Sequence, residues 1–152
     1  MLNRLIIFSI LNFAALGLGG LLAGKGATSI WYASLSKAPW TPPGWVFGVT
    51  WVLIMVCFSF YLAYLWPLTE NKSTLIGLLI IQYALNIAWN PAFFRYHNIA
   101  IGLIIILMLT LLVGYIQLLY WSNLKTKSLL LLPYFIWLII ATSLNAYAFI
   151  KN

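Results

Sequence analysis

Apolar residues fill five long stretches of the chain that contain no charged side chain. A helix that crosses the hydrocarbon core of a bilayer, about 30 Å thick, needs roughly 20 predominantly apolar residues. Each stretch reaches that length, so the pattern predicts five membrane-spanning helices. The uncharged stretches run over residues 5–24, 38–69, 73–94, 96–124 and 128–150.

The composition agrees with this pattern. Of the 152 residues, 64% are hydrophobic and only 6% are charged, whereas soluble domains carry about 25% charged residues. The alternative for the first stretch is a cleaved signal peptide with Arg4 as its positively charged n-region, but the apolar run is long for one and no clean small-residue cleavage site follows it. We therefore predict an all-α fold, an integral membrane bundle of five helices in a single domain over residues 1–152. The predicted helices cover about residues 3–23, 42–66, 73–94, 98–121 and 128–150.

The charged residues limit the chemistry that the chain can perform. Glu70 is the only carboxylate side chain and His97 the only histidine. A carboxylate pair, a Ser-His-Asp triad and a His/Cys/carboxylate metal site are therefore excluded within one chain. No carboxylate lies within an apolar stretch, so the usual proton relay of a membrane pump is absent too.

The net charge of +7 comes from eight scattered Lys and Arg residues. They form no basic stripe, so we interpret them as anchors at the membrane surface and expect no nucleic-acid partner. Five spans place the two termini on opposite sides, which we call side A (N-terminal) and side B. Four cations fall on each side, so the positive-inside rule does not decide the orientation.

Prolines and glycines indicate local features of three predicted helices. Thr41 is a candidate N-cap of the second helix, with Pro42 at its first position, where a missing N–H costs nothing. Pro91 removes a hydrogen bond from the third helix and predicts a kink or an end there. Gly20 and Gly24 form a GxxxG spacing that permits close helix contact, within the bundle or between chains.

The segment 24–41 is the one long connection between predicted helices. Connections of this length often act as lids or binding loops, and an ordered surface loop is the alternative. Because it joins the first two helices on side B, it would cover that end of the bundle.

Polar residues form a stripe on the third predicted helix. Gln82, Asn86 and Asn90 follow an i, i+4, i+8 spacing and share one face. Unpaired amides in hydrocarbon cost several kcal/mol, so this face must point into the bundle. At about 1.5 Å per residue, Asn86 lies roughly 13 Å below side B, level with Trp51 on the second helix.

The fifth predicted helix brings further polar and small residues to the same depth. Tyr134, Ala141 and Asn145 share a face with Trp137 beside it. Three helices therefore present Trp, Asn and small residues beneath the long connection, and we predict a cavity there. Interhelical hydrogen bonding is the alternative role for each asparagine. We favour a structural role for Asn90, which precedes a proline, and a cavity role for Asn86.

Three separate segments carry a family resemblance. They are "WYASLSKAPWTPPGWVFGVTW" (31–51), "LNIAWNPAFF" (85–94) and "PYFIWLIIATSLN" (133–145). Through these the chain resembles the TspO family, also called tryptophan-rich sensory protein, translocator protein or peripheral-type benzodiazepine receptor. The resemblance implies a five-helix bundle in a bacterial cell membrane, commonly a homodimer, with a ligand cavity that the first loop closes.

The resemblance also implies a class of ligand. Members bind porphyrins such as protoporphyrin IX, benzodiazepine or isoquinoline-carboxamide drugs, and in animals cholesterol. We thus expect no obligatory cofactor, with protoporphyrin IX or haem as a ligand. Some bacterial members are reported to degrade protoporphyrin in light, which implies Trp51 and Trp137 as residues for that chemistry. By position, the resemblance implies the ligand-binding residues Tyr32, Pro42, Trp51, Asn86, Trp89, Trp137, Ala141 and Leu144.

The chain departs from the family pattern at two places. Ala38 stands where the family often has proline, which implies a different bend in the lid. Tyr147 comes one position later than the tyrosine of the animal sterol motif, a shift that turns the ring by about 100° on a helix and argues against a sterol partner.

We therefore expect a tetrapyrrole receptor or sensor. The alternatives are a light-driven porphyrin-degrading activity and a transporter of hydrophobic molecules. The transporter is disfavoured because five helices form no even repeat and no ionisable residue lies within the membrane.

Overall fold

A computed structural model describes all residues from Met1 to Asn152, and every regular element in it is helical. Five of the helices are long and apolar enough to cross a membrane, which confirms the predicted all-α, five-span fold. Two further helices are short and lie in the connections. The elements are α1 (Leu2–Leu22), α2 (Ile30–Ser34), α3 (Gly44–Leu68), α4 (Lys72–Asn90), α5 (Ile99–Leu119), α6 (Trp121–Leu124) and α7 (Leu132–Lys151).

The five long helices form a closed ring. Helix α1 packs between α3 and α4. Helix α4 also packs against α5, α5 packs against α7, and α7 packs against α3, which closes the ring. Every spanning helix therefore has two spanning neighbours, and one face of each points into the ring. That face holds the polar stripe of α4, because Gln82 is fully buried and Asn86 is nearly so.

The apolar core lies mainly in the half of the ring nearer side A. Its centre is α3, whose residues from Ile54 to Leu65 supply six of the 12 largest fully buried side chains, more than any other helix. A 3-10 segment, Lys125–Leu131, packs against α3 and closes this end. Its Ser128 carbonyl accepts a hydrogen bond from Gln117 Nε2 at 3.1 Å.

A buried polar contact joins three helices within the side-A half. Tyr83 on α4 donates from its hydroxyl to Asn12 Oδ1 on α1 at 2.6 Å. Asn12 Nδ2 donates in turn to Ser59 Oγ on α3 at 2.9 Å, and Ser59 donates to the Met55 carbonyl at 2.7 Å. Since an amide in hydrocarbon needs partners, this chain of bonds sets how α1, α3 and α4 face one another.

Helix α4 ends at Asn90, directly before Pro91, as the proline predicts. Residues Pro91–Arg95 then form a π-helical turn, in which Tyr96 N donates to the Pro91 carbonyl at 2.9 Å. The wider turn suits a segment whose proline cannot supply the normal α-helical bond. It also carries Phe93 and Phe94 to the side-B end of the ring.

The expected start of the second spanning helix is wrong by two residues. Helix α3 begins at Gly44 with Pro43 as its N-cap residue, and no side chain caps it. Thr41 instead donates from its backbone N–H to the Ala38 carbonyl at 2.9 Å. The reason is the second proline: a residue that precedes proline is pushed out of the helical region, so Pro42 remains outside the helix.

The Gly20/Gly24 spacing does not mark a helix contact within the bundle. Helix α1 ends at Leu22, and Gly24 has a φ of 67° beyond that end. A Cβ on Gly20 would meet nothing within 4 Å, whereas one on Gly19 would lie 2.8 Å from Asn90 Nδ2. Of the glycines in α1, Gly19 is therefore the one that packs against α4.

Candidate functional site

The connection between α1 and α3, residues 23–43, folds over the side-B end of the ring, and we call it the lid. It contains a 3-10 turn (Gly26–Thr28) and the short helix α2. Ser29 starts α2, because its side chain accepts a hydrogen bond from Tyr32 N at 3.1 Å. The lid is thus an ordered segment with its own helix.

Aromatic contacts join α2 to the π-helical turn. Trp31 stacks on His97 with ring centres 4.2 Å apart and meets the edge of Phe93 at 5.5 Å. Tyr32 packs against Phe94 at 5.4 Å. The turn that Pro91 imposes on α4 therefore supplies the surface on which this part of the lid rests.

The rest of the lid is attached to α7. Trp40 donates from Nε1 to Ser143 Oγ at 3.1 Å and packs against Tyr147 at 5.5 Å. The Ser36 backbone N–H donates to Asn152 Oδ1 at 2.9 Å. These contacts are exposed or half-buried, so water competes with them more than with the bonds of the core.

Directly beneath the lid is a small space that we call the lid cavity. Its volume is about 40 Å³, and ten of its 13 lining residues are hydrophobic. Four of the predicted ligand-binding residues line it, from the lid, α4 and α7. They are Tyr32, Trp89, Ala141 and Leu144.

A larger depression, the α1–α3 groove, lies between α1, α3 and α4. Its volume is about 370 Å³. Trp51 and Asn86 both line it, which agrees with the equal depth that the sequence predicts for them. Asn90 lines it as well, so the division between a structural Asn90 and a cavity-lining Asn86 is less sharp than expected.

Phe47 lies at the boundary of these spaces, because it lines both the lid cavity and the α1–α3 groove. Its ring meets the edge of Trp137 at 5.3 Å. It also lines a shallow outer depression with Tyr32 and Pro42. The single cavity expected from the sequence is therefore divided in this structure. The sequence does indicate this division. Phe47 precedes Trp51 by four residues and therefore lies on the same helical face, so its ring had to enter the space expected for the ligand.

The two tryptophans assigned to porphyrin chemistry have different environments. Trp51 is half-buried, lines the α1–α3 groove and packs against Tyr134 at 5.9 Å. Trp137 is 6% exposed, and its Nε1–H has no hydrogen-bond partner. A buried donor without a partner is unusual. Trp137 lines neither the lid cavity nor the α1–α3 groove, so its N–H would meet an acceptor group only after the Phe47 ring against which it packs had moved.

The buried amides also differ in how they are used. Asn145 accepts from Trp89 Nε1 at 3.1 Å and donates to the Ile99 carbonyl at 3.1 Å, so it links α4, α5 and α7. Gln82 Nε2 donates to the Tyr134 hydroxyl at 2.8 Å. The Asn86 side chain makes no hydrogen bond within the chain, although its backbone carbonyl accepts from Asn90 Nδ2 at 3.2 Å. Asn86 is therefore the stripe residue whose amide is free for a ligand.

One cation lies at the lid cavity. Lys37 lines it, with Nζ 4.9 Å from the centre of the Tyr32 ring and a hydrogen bond to the Ala33 carbonyl at 3.1 Å. Burial raises the pKa of the Tyr32 phenol above its usual value. The mouth of the cavity thus presents a positive charge beside a neutral phenol. Lys25 is exposed in the lid and lines none of these spaces.

Comparison with known proteins gives a consistent result. A model described as the TspO/MBR family matches residues 7–150. The chain is 36% identical to "Protein CrtK" of Rhodobacter capsulatus over 87% of this chain and 82% of that protein. It is 32% identical to "Tryptophan-rich protein TspO" of Archaeoglobus fulgidus over 97% and 96%. It is 31% identical to the human "Translocator protein" over 76% and 70%.

Proposed function

The chain belongs to the TspO/MBR family, and on that premise we propose that it binds tetrapyrroles of the protoporphyrin IX type beneath its lid. The family is one of multi-pass membrane sensors and receptors, and this chain is a multi-pass membrane protein. Flat drug-like molecules such as benzodiazepines and isoquinoline carboxamides are a second proposed ligand class for the same space.

One observation carries the proposal: aromatic walls and free polar groups meet around Phe47. Trp51 and Asn86 lie on one side of this ring, Trp89 lies on the other, and Trp137 packs against it. The Asn86 amide and the Trp137 indole N–H have no protein partner. Apolar spaces with a few such polar groups are typical of small-molecule sites.

The volumes require a change of shape on binding. Pockets for drug-sized ligands measure about 300–1,000 Å³. The lid cavity of about 40 Å³ is therefore too small, and the α1–α3 groove of about 370 Å³ lies near the lower end of that range, where a macrocycle would need more room. We expect a macrocycle to displace Phe47 or to lift the lid, which joins the two spaces. Lys37 at the lid cavity would then meet a propionate of the ligand.

The test is porphyrin binding by purified protein in detergent micelles, followed by the shift of the porphyrin absorbance band. Binding should saturate, and Trp51→Phe with Trp137→Phe should lower the affinity about tenfold, since aromatic contacts contribute roughly 0.5–1.5 kcal/mol each. The matched control is Trp45→Phe with Trp121→Phe, because both side chains are exposed on the surface. Equal affinities for the two double variants would show that the site is elsewhere.

A second proposed activity is light-driven oxidation of the bound porphyrin by molecular oxygen. Two indoles favour it without any acid–base residue: Trp51 lines the α1–α3 groove, and Trp137 packs against Phe47, the ring that separates the groove from the lid cavity. Illumination with protoporphyrin IX in air should yield a product that free porphyrin does not form. Identical products with and without protein would reduce the proposal to binding.

A transporter of porphyrins or other hydrophobic molecules is the alternative. The five-helix ring has no even repeat, and the spanning helices bury no ionisable carboxylate, cation or histidine to couple ions. Concentrative uptake of a porphyrin into proteoliposomes would overturn our ranking.

We also propose that the chain forms a homodimer, as the family resemblance implies. Gly17 on α1 is exposed, and nothing lies within 4 Å of where its Cβ would be, so a second helix could approach the backbone there. Mass photometry in nanodiscs of increasing size should detect two chains per particle, whereas single chains at every protein concentration would contradict the proposal.

A further inference from the structure

A third depression lies far from the lid, on the membrane-facing surface between α1 and α4, and we call it the α1–α4 groove. Its volume is about 420 Å³, and eight of its nine lining residues are hydrophobic. The buried Phe8 and the half-buried Trp66 line it with their rings 5.8 Å apart. The walls include Ile7 and Leu11 from α1 and Ile76 and Ile80 from α4.

The groove lies in the side-A half of the membrane. Helix α1 begins on side A at Leu2, α3 ends there at Leu68, and α4 begins there at Lys72. The part of α1 that lines the groove runs from Arg4 to Leu11, a length of about 10 Å. It therefore extends from the surface into the hydrocarbon region, where an acyl chain would be its neighbour.

Two cations lie at the surface end of the groove. Arg4 lines it and is half-buried. Lys72 Nζ lies 5.5 Å from the centre of the Trp66 ring and donates to the Thr69 carbonyl. The only carboxylate side chain, Glu70, lines a different depression beside Tyr120. The positive end of the groove therefore has no anion of the protein within it.

We propose that the α1–α4 groove binds an anionic phospholipid, with an acyl chain between α1 and α4 and the phosphate at Arg4 and Lys72. A half-buried guanidinium without an anion is unfavourable, and a phosphate supplies the bidentate acceptor that it prefers. Basic sites between spanning helices bind anionic headgroups by this combination of charge and apolar contact.

A second copy of the chain is a poorer occupant of this groove. In a closed two-fold dimer the same surface meets itself, so Arg4 and Lys72 of both copies would come together at one depth. With a net charge of +7 and one carboxylate per chain, the partner offers no counter-charge. An anionic lipid supplies that charge and fills the apolar part as well.

The experiment is native mass spectrometry of the whole chain released from micelles that contain equal amounts of dioleoyl-phosphatidylglycerol and dioleoyl-phosphatidylcholine. The wild type should retain one phosphatidylglycerol preferentially. Because each cation near the surface strengthens attraction about fivefold, Arg4→Gln with Lys72→Gln should lower that preference by roughly 30-fold. The matched control, Arg95→Gln with Lys151→Gln, removes two cations from side B and should leave the preference unchanged.

A second pair of variants tests the apolar part of the site without a change of charge. Ile80→Trp fills the groove and should lower retention of phosphatidylglycerol, whereas Ile81→Trp, on the neighbouring exposed face of α4, should not. No preference for phosphatidylglycerol in the wild type would overturn the proposal. So would equal losses in the side-A and side-B charge variants, or a dimer that Ile80→Trp dissociates while lipid retention is unchanged.

Discussion

The two halves of α3 have opposite environments. From Ile54 to Leu65, in the side-A half, eight of twelve residues are buried, whereas none is buried from Gly44 to Leu53 in the side-B half. The side-A half contacts α1 through Ser59 and α7 through Phe58. The side-B half borders the lid cavity and the α1–α3 groove through Phe47.

This difference assigns two roles to one helix: the side-A half stabilises the fold, and the side-B half borders the proposed binding site. A close-packed half supplies the contacts that hold the ring together, since dense packing contributes most of the attraction between helices in a bilayer. The other half keeps space and unpaired polar groups, which a ligand can use and which cost stability when no ligand is present. Substitutions in the side-A half should therefore change mainly the free energy of unfolding, and substitutions in the side-B half mainly the affinity for the ligand.

The largest expected effect is on stability in the side-A half. Phe58 is 1% exposed and packs against both Tyr61 and Tyr134. Phe58→Ala should lower the free energy of unfolding by about 3–5 kcal/mol, through lost contacts and the cavity left behind. Thermal unfolding in micelles, followed by far-ultraviolet circular dichroism, measures it. Phe47→Ala is the matched control, and a comparable loss there would contradict the proposed division between the halves.

The next effect concerns the ring that divides the space. Phe47→Ala should raise the affinity for protoporphyrin IX about fivefold, because the ligand no longer has to break the Phe47–Trp137 contact, worth roughly 0.5–1.5 kcal/mol. Val49→Ala, on an exposed part of α3, is the control. A large loss of affinity in Phe47→Ala would instead make this ring a ligand contact rather than a barrier.

A smaller effect should distinguish the two asparagines of "LNIAWNPAFF". Asn86→Ala should weaken porphyrin binding about fivefold, the value of one hydrogen bond of roughly 1 kcal/mol. Asn90→Ala removes the bond to the Asn86 carbonyl, so it should lower the melting temperature slightly and leave the affinity nearly unchanged. Titration of both variants with protoporphyrin IX measures the two affinities. Equal affinities, or a weaker affinity in Asn90→Ala, would reject the distinction between the two asparagines.

The smallest expected effect is a pH dependence at the lid. Burial raises the pKa of Tyr32, so the folded state holds the phenolic proton more tightly than the unfolded state. The associated stability is complete below the unfolded pKa of about 10 and is lost as the pH rises through the folded value. Tyr32→Phe should therefore lose less thermal stability between pH 9 and pH 11 than the wild type. An identical loss would show that Tyr32 does not contribute.

The sequence was sufficient for the spans and for the depth of single residues. Membrane spans depend on local length and hydropathy, and a helix has a constant rise per residue. For these reasons all five spans were predicted in number and order, and Trp51 and Asn86 do line one groove. The bounds were less accurate: the third predicted helix ends four residues earlier than expected, and the fifth begins at Leu132 rather than residue 128, after a 3-10 segment. The α-helix before Pro91 ends where the proline predicts, because that effect lies within one turn.

How these parts face one another depends on packing between the helices. The contact of α1 with α4 at Gly19 rather than Gly20, and the place of Phe47 between two spaces, depend on the rotation of each helix about its axis. Packing and hydrogen bonds between distant residues, such as Tyr83 with Asn12, set that rotation. Hydropathy along the chain cannot specify it, because a spanning helix is apolar on nearly every face, and so the sequence determined the depth of each residue while packing determined its neighbours.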